Sequence, residues 1–172
     1  GGNVNLVGAN SVTSSDNTVT GGSGNDVIVL GTTVGTDGLT SSNEKVVYAA
    51  DFGNDTIVHF AAAGLGIDTL DFSALKGSGA AAFGSLSADK SIVVAAQTAA
   101  NDTVAEIAAL FTDSATAINH VYVAYDAKNV GHVYMVADAA GTAAGNVTAT
   151  LVGSIDLADT SWSALTAANF AA

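Results

Sequence analysis

Cysteine, proline and arginine are all absent from this sequence, and lysine occurs only four times. Without cysteine there is no disulfide, no thiolate metal site and no cysteine nucleophile. The scarcity of cations disfavours nucleic acid as a partner, because phosphate contacts need clustered lysine or arginine. It disfavours an anionic membrane surface for the same reason. No apolar run approaches the roughly 18 residues of a membrane-spanning helix, so we expect no membrane insertion.

Acidic residues are abundant by contrast: 16 carboxylates give the chain a formal net charge of -12. Fourteen of them are aspartate, the short carboxylate that favours turns and supplies hard oxygen ligands to calcium. The bias therefore indicates cation binding in turns. The competing interpretation is that the charge serves solubility alone.

A short unit recurs in the first 75 residues, which contain glycine, asparagine and aspartate clusters between short β-branched runs. Gly24-Asn25-Asp26-Val27-Ile28-Val29 returns 29 positions later as Gly53-Asn54-Asp55-Thr56-Ile57-Val58. Looser copies stand at residues 15–19 and 66–70. Each unit is a polar turn, a carboxylate or amide, and a short strand with one inward aliphatic residue. The stretch Gly21 to Val29 matches G-G-x-G-x-D-x-U-x, a repeat typical of calcium-binding parallel β-helices.

The repeat predicts calcium (Ca²⁺) ligands at the turns, because glycines let backbone carbonyls converge and aspartate supplies an anionic oxygen. Each unit reverses the chain, so every second turn is expected on the same edge. The predicted ligands of the main site are Gly22, Gly24, Asp26, Asp51, Gly53 and Asp55. On the opposite edge we expect a weaker site with Asn17, Asp37 or Glu44, and Asp68. The alternative is that these are ordinary β-turns without a metal.

The rest of the chain predicts a different arrangement. Alternating runs near residues 121–125, 133–137 and 147–155 indicate three consecutive antiparallel strands. Thr103 and Glu106 form a capping-box pattern that predicts a helix over about 103–112. We thus expect a mainly β chain: a short calcium-binding parallel β-roll in residues 1–75, continuing into an antiparallel β-sheet with one short helix in residues 76–172.

No catalytic pattern accompanies these elements, so we expect no enzyme activity. His59, His120 and His132 form no H-E-x-x-H zinc motif. Ser23 lies in no G-x-S-x-G nucleophile elbow.

The closing part of the repeat region resembles a known family. Asp55-Thr56-Ile57-Val58-His59-Phe60, followed by Gly66-Ile67-Asp68-Thr69-Leu70-Asp71-Phe72-Ser73-Ala74-Leu75, is similar to the segment that follows the last repeat of RTX (repeats-in-toxin) proteins. Phe72 stands where that family usually has leucine. The ending Leu165 to Ala172 resembles the uncleaved signal of type I secretion.

The resemblance implies a function. It predicts a carboxyl-terminal module that the type I secretion machinery exports and that folds when it meets extracellular calcium. Within the family, the arginine-free composition rich in alanine, threonine and valine is most similar to bacterial surface-layer (S-layer) proteins, which implies self-association at the cell surface. The alternative parents are a secreted RTX protease, lipase or epimerase, or an RTX adhesin. Only one complete nonapeptide is present, so the number of ions is one or two.

Overall fold

The computed structural model describes residues 3–5, 16–30, 43–48, 53–63, 66–76, 83–84, 92–111, 118–139, 146–157 and 161–171. Within them the chain is mainly β, with one parallel sheet and one mixed sheet. The strands are β1 (Asn3–Asn5), β2 (Thr18–Thr20), β3 (Val27–Val29), β4 (Lys45–Val47), β5 (Asp55–Phe60), β6 (Thr69–Asp71), β7 (Phe83–Gly84), β8 (Ile92–Ala96), β9 (Ile118–Tyr125), β10 (Val130–Asp138), β11 (Val147–Leu157) and β12 (Phe170–Ala171). The helices are α1 (Ser73–Lys76) and α2 (Val104–Ala109), with 3₁₀ turns at Trp162–Ala164 and Ala167–Asn169.

The first six strands alternate between the two sheets. Strands β1, β3 and β5 lie side by side and parallel in the eight-stranded sheet. Strands β2, β4 and β6 do the same in the four-stranded sheet. This is the alternation that the repeat spacing predicts. In each of β2 to β6 one aliphatic residue points inward and is at most 7% exposed: Val19, Ile28, Val46, Ile57 and Leu70.

The second half of the chain extends the same eight-stranded sheet. Strands β9, β10 and β11 pair antiparallel, as expected. The sheet is nevertheless mixed and not wholly antiparallel, because β8 runs parallel to β9 and β11 runs parallel to β5. The strand order β1-β3-β5-β11-β10-β9-β8-β7 therefore joins residues 1–75 and 76–172 in one sheet.

Both faces of this sheet carry packed side chains. The face toward the four-stranded sheet contributes to the main core, which takes residues from both halves of the chain. The outer face carries a smaller cluster in which Ile107 of α2 packs against Tyr122 and Tyr134. The helix begins after Thr103, whose side chain accepts a hydrogen bond from the Glu106 amide while Glu106 accepts from the Thr103 amide. The predicted helix and its capping box are confirmed.

The last described residues close the four-stranded sheet. Strand β12 pairs parallel with β6, next to β4 and β2. Leu165 and Phe170 are buried in the main core. The Asn169 side chain is fully buried and donates to the carbonyl oxygens of Ala62 and Asp68, at 3.0 and 3.1 Å. In the part of the chain described here, no helix has the length and apolar character needed to cross a membrane.

Candidate metal centre

Five polar residues stand at the beginning of short parallel strands: four immediately precede β2, β3, β4 and β6, and the fifth, Asp55, is the first residue of β5. In the eight-stranded sheet Val27 aligns with Thr56, which places Asp26 beside Asp55. In the four-stranded sheet, residues 18, 45 and 69 align across three strands. The positions before them bring together Asn17, Glu44 and Asp68.

The turn before β3 depends on glycine. Gly22 and Gly24 have φ angles of +85° and +99°, and Gly53 in the neighbouring turn has +86°. These values lie in the left-handed region, where side chains other than hydrogen are disfavoured. A Cβ atom on Gly53 would also overlap the carbonyl oxygen of Gly24. The two turns can therefore stack this closely only because position 53 carries no side chain.

Side-chain oxygens link the two stacked turns. The Asn54 amide donates to Asn25 Oδ1, and the Asp26 amide donates to Asp55 Oδ1, each at 3.0 Å. The Thr56 amide donates to the Asp26 carbonyl oxygen at 2.8 Å, continuing the ladder into the strands. The bond from the Asp26 amide orients the Asp55 carboxylate through Oδ1 and leaves Oδ2 as its second oxygen.

One oxygen of each carboxylate, Oδ2 of Asp26 and Oδ2 of Asp55, lies beside Gly21. A Cβ atom on Gly21 would lie 2.8 Å from Asp26 Oδ2 and 3.1 Å from Asp55 Oδ2. Both aspartates are only 2% exposed. Two buried carboxylates directed at one small space are a donor set that suits a hard divalent cation. The residues present thus fit a calcium ion.

The electrostatics of this pair also favour a cation. Burial raises the pKa of Asp55, and the charge of Asp26 raises it further, although the hydrogen bond from the Asp26 amide opposes the shift. Both influences that raise the pKa reflect the cost of holding negative charge at this position. A bound cation would reduce that cost.

The opposite edge has the same backbone arrangement with different side-chain bonding. Asp68 is fully buried, and its two oxygens accept hydrogen bonds from the amides of Glu44 and Ala61, at 2.9 and 2.8 Å. Burial raises the pKa of Asp68 to about 7, the two amides oppose this, and the adjacent Glu44 carboxyl adds to it. Because both Asp68 oxygens already bind the backbone, this edge is less well prepared for an ion.

Some of the calcium ligands predicted from the sequence lie close together in the structure, and others are outside the residues that it describes. The structure places Asp26 beside Asp55 on one edge and Asn17 with Asp68 on the other. Asp51 and Asp37 lie outside the described residues. The repeat copy at Asn43 and Glu44 was missed as a repeat, because residues 40–42 are Thr-Ser-Ser and carry no glycine. The polar pair followed by Lys45-Val46-Val47 is the pattern that could have identified it.

A metal ion between Asp26 and Asp55 would need more ligands than carboxylates alone. Among the described residues no three His, Asp or Glu side chains gather closely enough to hold a metal ion by themselves. An ion between Asp26 and Asp55 would therefore need backbone carbonyl or asparagine oxygens as well. Calcium accepts such mixed oxygen ligands readily, whereas zinc prefers histidine and thiolate.

Comparison with known proteins gives no relative. The chain matches no protein-family model, no curated protein and no solved structure.

Proposed function

We propose that this chain is the calcium-binding carboxyl-terminal module of an exported bacterial surface protein of the S-layer type, and that calcium between the turns of Asp26 and Asp55 controls its folding. The supporting observation is the convergence of two buried carboxylates beside Gly21. In this proposal the first six strands form a short calcium-loaded parallel β-roll. Gly22, Gly24 and Gly53 shape the turns, and Asn17 and Asp68 belong to the weaker second edge.

Calcium would act by neutralising charge that the fold brings together. Asp26 and Asp55 are separate in the unfolded chain and adjacent in the folded one, so the ion binds mainly the folded state. A ligand at 100 times its dissociation constant stabilises such a state by about 2.7 kcal/mol. Low cytosolic calcium would leave the chain less folded before export, and higher extracellular calcium would favour folding afterwards.

Export and a surface location are proposed from the similarity of residues 55–75 and 165–172 to RTX proteins. The type I secretion machinery and further copies of the chain are the partners in this proposal, with no role for nucleic acid or membrane insertion. Calcium-dependent species larger than a monomer in analytical ultracentrifugation would distinguish an S-layer module from a tail that serves export alone.

The decisive experiment is a calorimetric calcium titration of the wild type and of Asp26→Asn. This substitution keeps the size of the side chain and the backbone amide that binds Asp55 Oδ1, but removes one carboxylate. We expect it to abolish one binding event or to weaken it at least tenfold, because calcium loses an anionic ligand.

Asp156→Asn is the matched control, because Asp156 is an exposed aspartate in strand β11, away from the turns. It should leave both stoichiometry and affinity unchanged. An Asp26→Asn protein with native circular dichroism and the full wild-type calcium affinity would overturn the proposal.

A further inference from the structure

A cleft of about 390 Å³ opens on the outer face of the eight-stranded sheet, next to the two stacked turns. Its wall includes the exposed asparagines of those turns and one side chain from each of four adjacent strands. These six residues are Asn25, Asn54, Val27, Thr56, Ser154 and His132. The four strand residues have no role in the calcium proposal, although Asp26, which has one, also borders the cleft.

The four strand residues form a continuous row. The register pairs Val27 with Thr56, Thr56 with Ser154, and Ser154 with His132. Neighbouring strands lie about 4.8 Å apart, so the row extends for about 14 Å across the sheet. It is long enough to contact a linear ligand at several successive points.

The side chains of the row include no carboxylate and no ammonium group, and three of the four can form hydrogen bonds. The hydroxyls of Thr56 and Ser154 both donate and accept, and the His132 ring and the asparagine amides add further groups. The side chains of Thr56, Ser154 and His132 make no hydrogen bond with any residue that the structure describes. They are therefore available to a ligand.

Charge and backbone geometry narrow the ligand class. No lysine is among the described residues that line the cleft, and the chain carries a net charge of -12, so an anionic ligand is disfavoured. An extended peptide would gain little, because the row lies on a sheet face whose backbone groups are already paired, and peptides usually add to an edge. Val27, 39% exposed, and Leu151 supply apolar surface at the cleft.

We infer that this cleft binds a neutral saccharide of about two linked rings, with hydroxyls bound by Thr56, Ser154 and His132 and apolar ring faces on Val27 and Leu151. The inference stands apart from the calcium proposal. The row faces outward, whereas the Asp26 and Asp55 carboxylates are buried and converge beside Gly21.

The test is a two-dimensional amide NMR titration of the calcium-saturated chain with lactose, cellobiose, maltose and chitobiose. We expect at least one of them to shift signals confined to residues 25–27, 54–56, 131–133 and 151–154, with millimolar affinity. The double variant Thr56→Ala/Ser154→Ala should weaken binding about tenfold, since two hydrogen bonds are lost.

Thr150→Ala is the matched control, because Thr150 is an exposed threonine on the same strand as Ser154 but outside the cleft. It should bind as the wild type does. The inference is overturned if no saccharide shifts these signals at about 50 mM, a concentration roughly ten times the expected dissociation constant. Shifts elsewhere, equal binding by the double variant, or shifts of these signals by a neutral tetrapeptide alone would overturn it too. Calcium calorimetry of the double variant should match the wild type, which separates this outcome from failure of the calcium proposal.

Discussion

Gly53 occupies a position where both backbone conformation and surroundings oppose a side chain. Its φ angle is +86°, and a Cβ atom there would meet the Gly24 carbonyl group. Gly22 has nearly the same φ angle, yet no atom of the described residues lies within 4 Å of its Cβ position. Alanine substitutions at the two positions therefore distinguish the cost of backbone strain, which both would have, from the cost of steric overlap, which only position 53 would have.

We predict that Gly53→Ala lowers the free energy of unfolding by about 3 kcal/mol or more, and Gly22→Ala by only about 1 kcal/mol. Chemical denaturation in saturating calcium measures both values. Equal losses in the two variants would show that the turns separate without cost, contrary to their stacking in the structure.

Asp71 is stabilised as an anion, unlike the buried carboxyls of the turns. Partial burial raises its pKa, but the hydroxyl and amide of Ser73 and the Lys45 ammonium outweigh this and hold the pKa of Asp71 below its usual range. A carboxyl with a lowered pKa in the folded state stabilises the protein above the pKa of the unfolded chain. That stability is lost as the pH falls through the lower, folded-state value.

We accordingly predict that Asp71→Asn is less stable than the wild type at pH 6. The difference should shrink as the pH falls below about 4 and vanish once Asp71 is protonated in both states. Denaturant titrations at several pH values measure it. A difference that stays constant from pH 6 to pH 2 would contradict the assignment.

Among the elements, the turn between β9 and β10 depends on one side chain. Asp126 Oδ1 accepts hydrogen bonds from the amides of Lys128 and Val130, at 2.7 and 3.0 Å. Asn129 follows with a φ angle of +61°, a conformation that asparagine tolerates better than most residues. The side chain of Asp126 thus replaces backbone bonds that the turn cannot make.

Asp126→Ala should lower the free energy of unfolding by about 1–2 kcal/mol, because two amides lose their acceptor. Asp126→Asn retains an acceptor oxygen and should stay within about 0.5 kcal/mol of the wild type. Thermal denaturation of the three proteins measures this. Equal melting temperatures for Asp126→Ala and the wild type would show that water satisfies both amides.

Local elements were predictable from the sequence, whereas distant pairings were not. The inward aliphatics, the Asp126 turn and the Thr103 cap each depend on residues within one short segment. The repeat spacing likewise predicts Asp26 beside Asp55. The pairing of β11 with β5 left no pattern to recognise, because strands distant in sequence carry no shared motif. Strand β12 could not be predicted either, because its two residues show no strand pattern and form a strand only by pairing with β6.

At the scale of the whole molecule, the eight-stranded sheet makes the two halves of the chain depend on each other. Strand β5 has β3 on one side and β11 on the other, and the main core takes residues from both halves. Neither half can unfold without exposing apolar surface of the other.

We therefore predict one cooperative unfolding transition in saturating calcium. Trp162 is the only tryptophan and packs against the main core from the second half of the chain, while circular dichroism reports on strands of both halves. The midpoints of fluorescence and circular dichroism in denaturant should coincide. A separate early transition seen by either probe would indicate two independent units.

The position of β12 also has a consequence for the order of events during biosynthesis. The edge of β6 is covered by residues 170 and 171, and the edge of β5 by residues 153–157. The paired residues are about 100 positions apart in the sequence, so neither sheet can be completed until the later strand of each pair has been synthesised. Pairings this distant also form slowly. The early strands therefore remain without their later partners for an interval during synthesis, and this interval is available to any machinery that must handle the polypeptide as an extended chain.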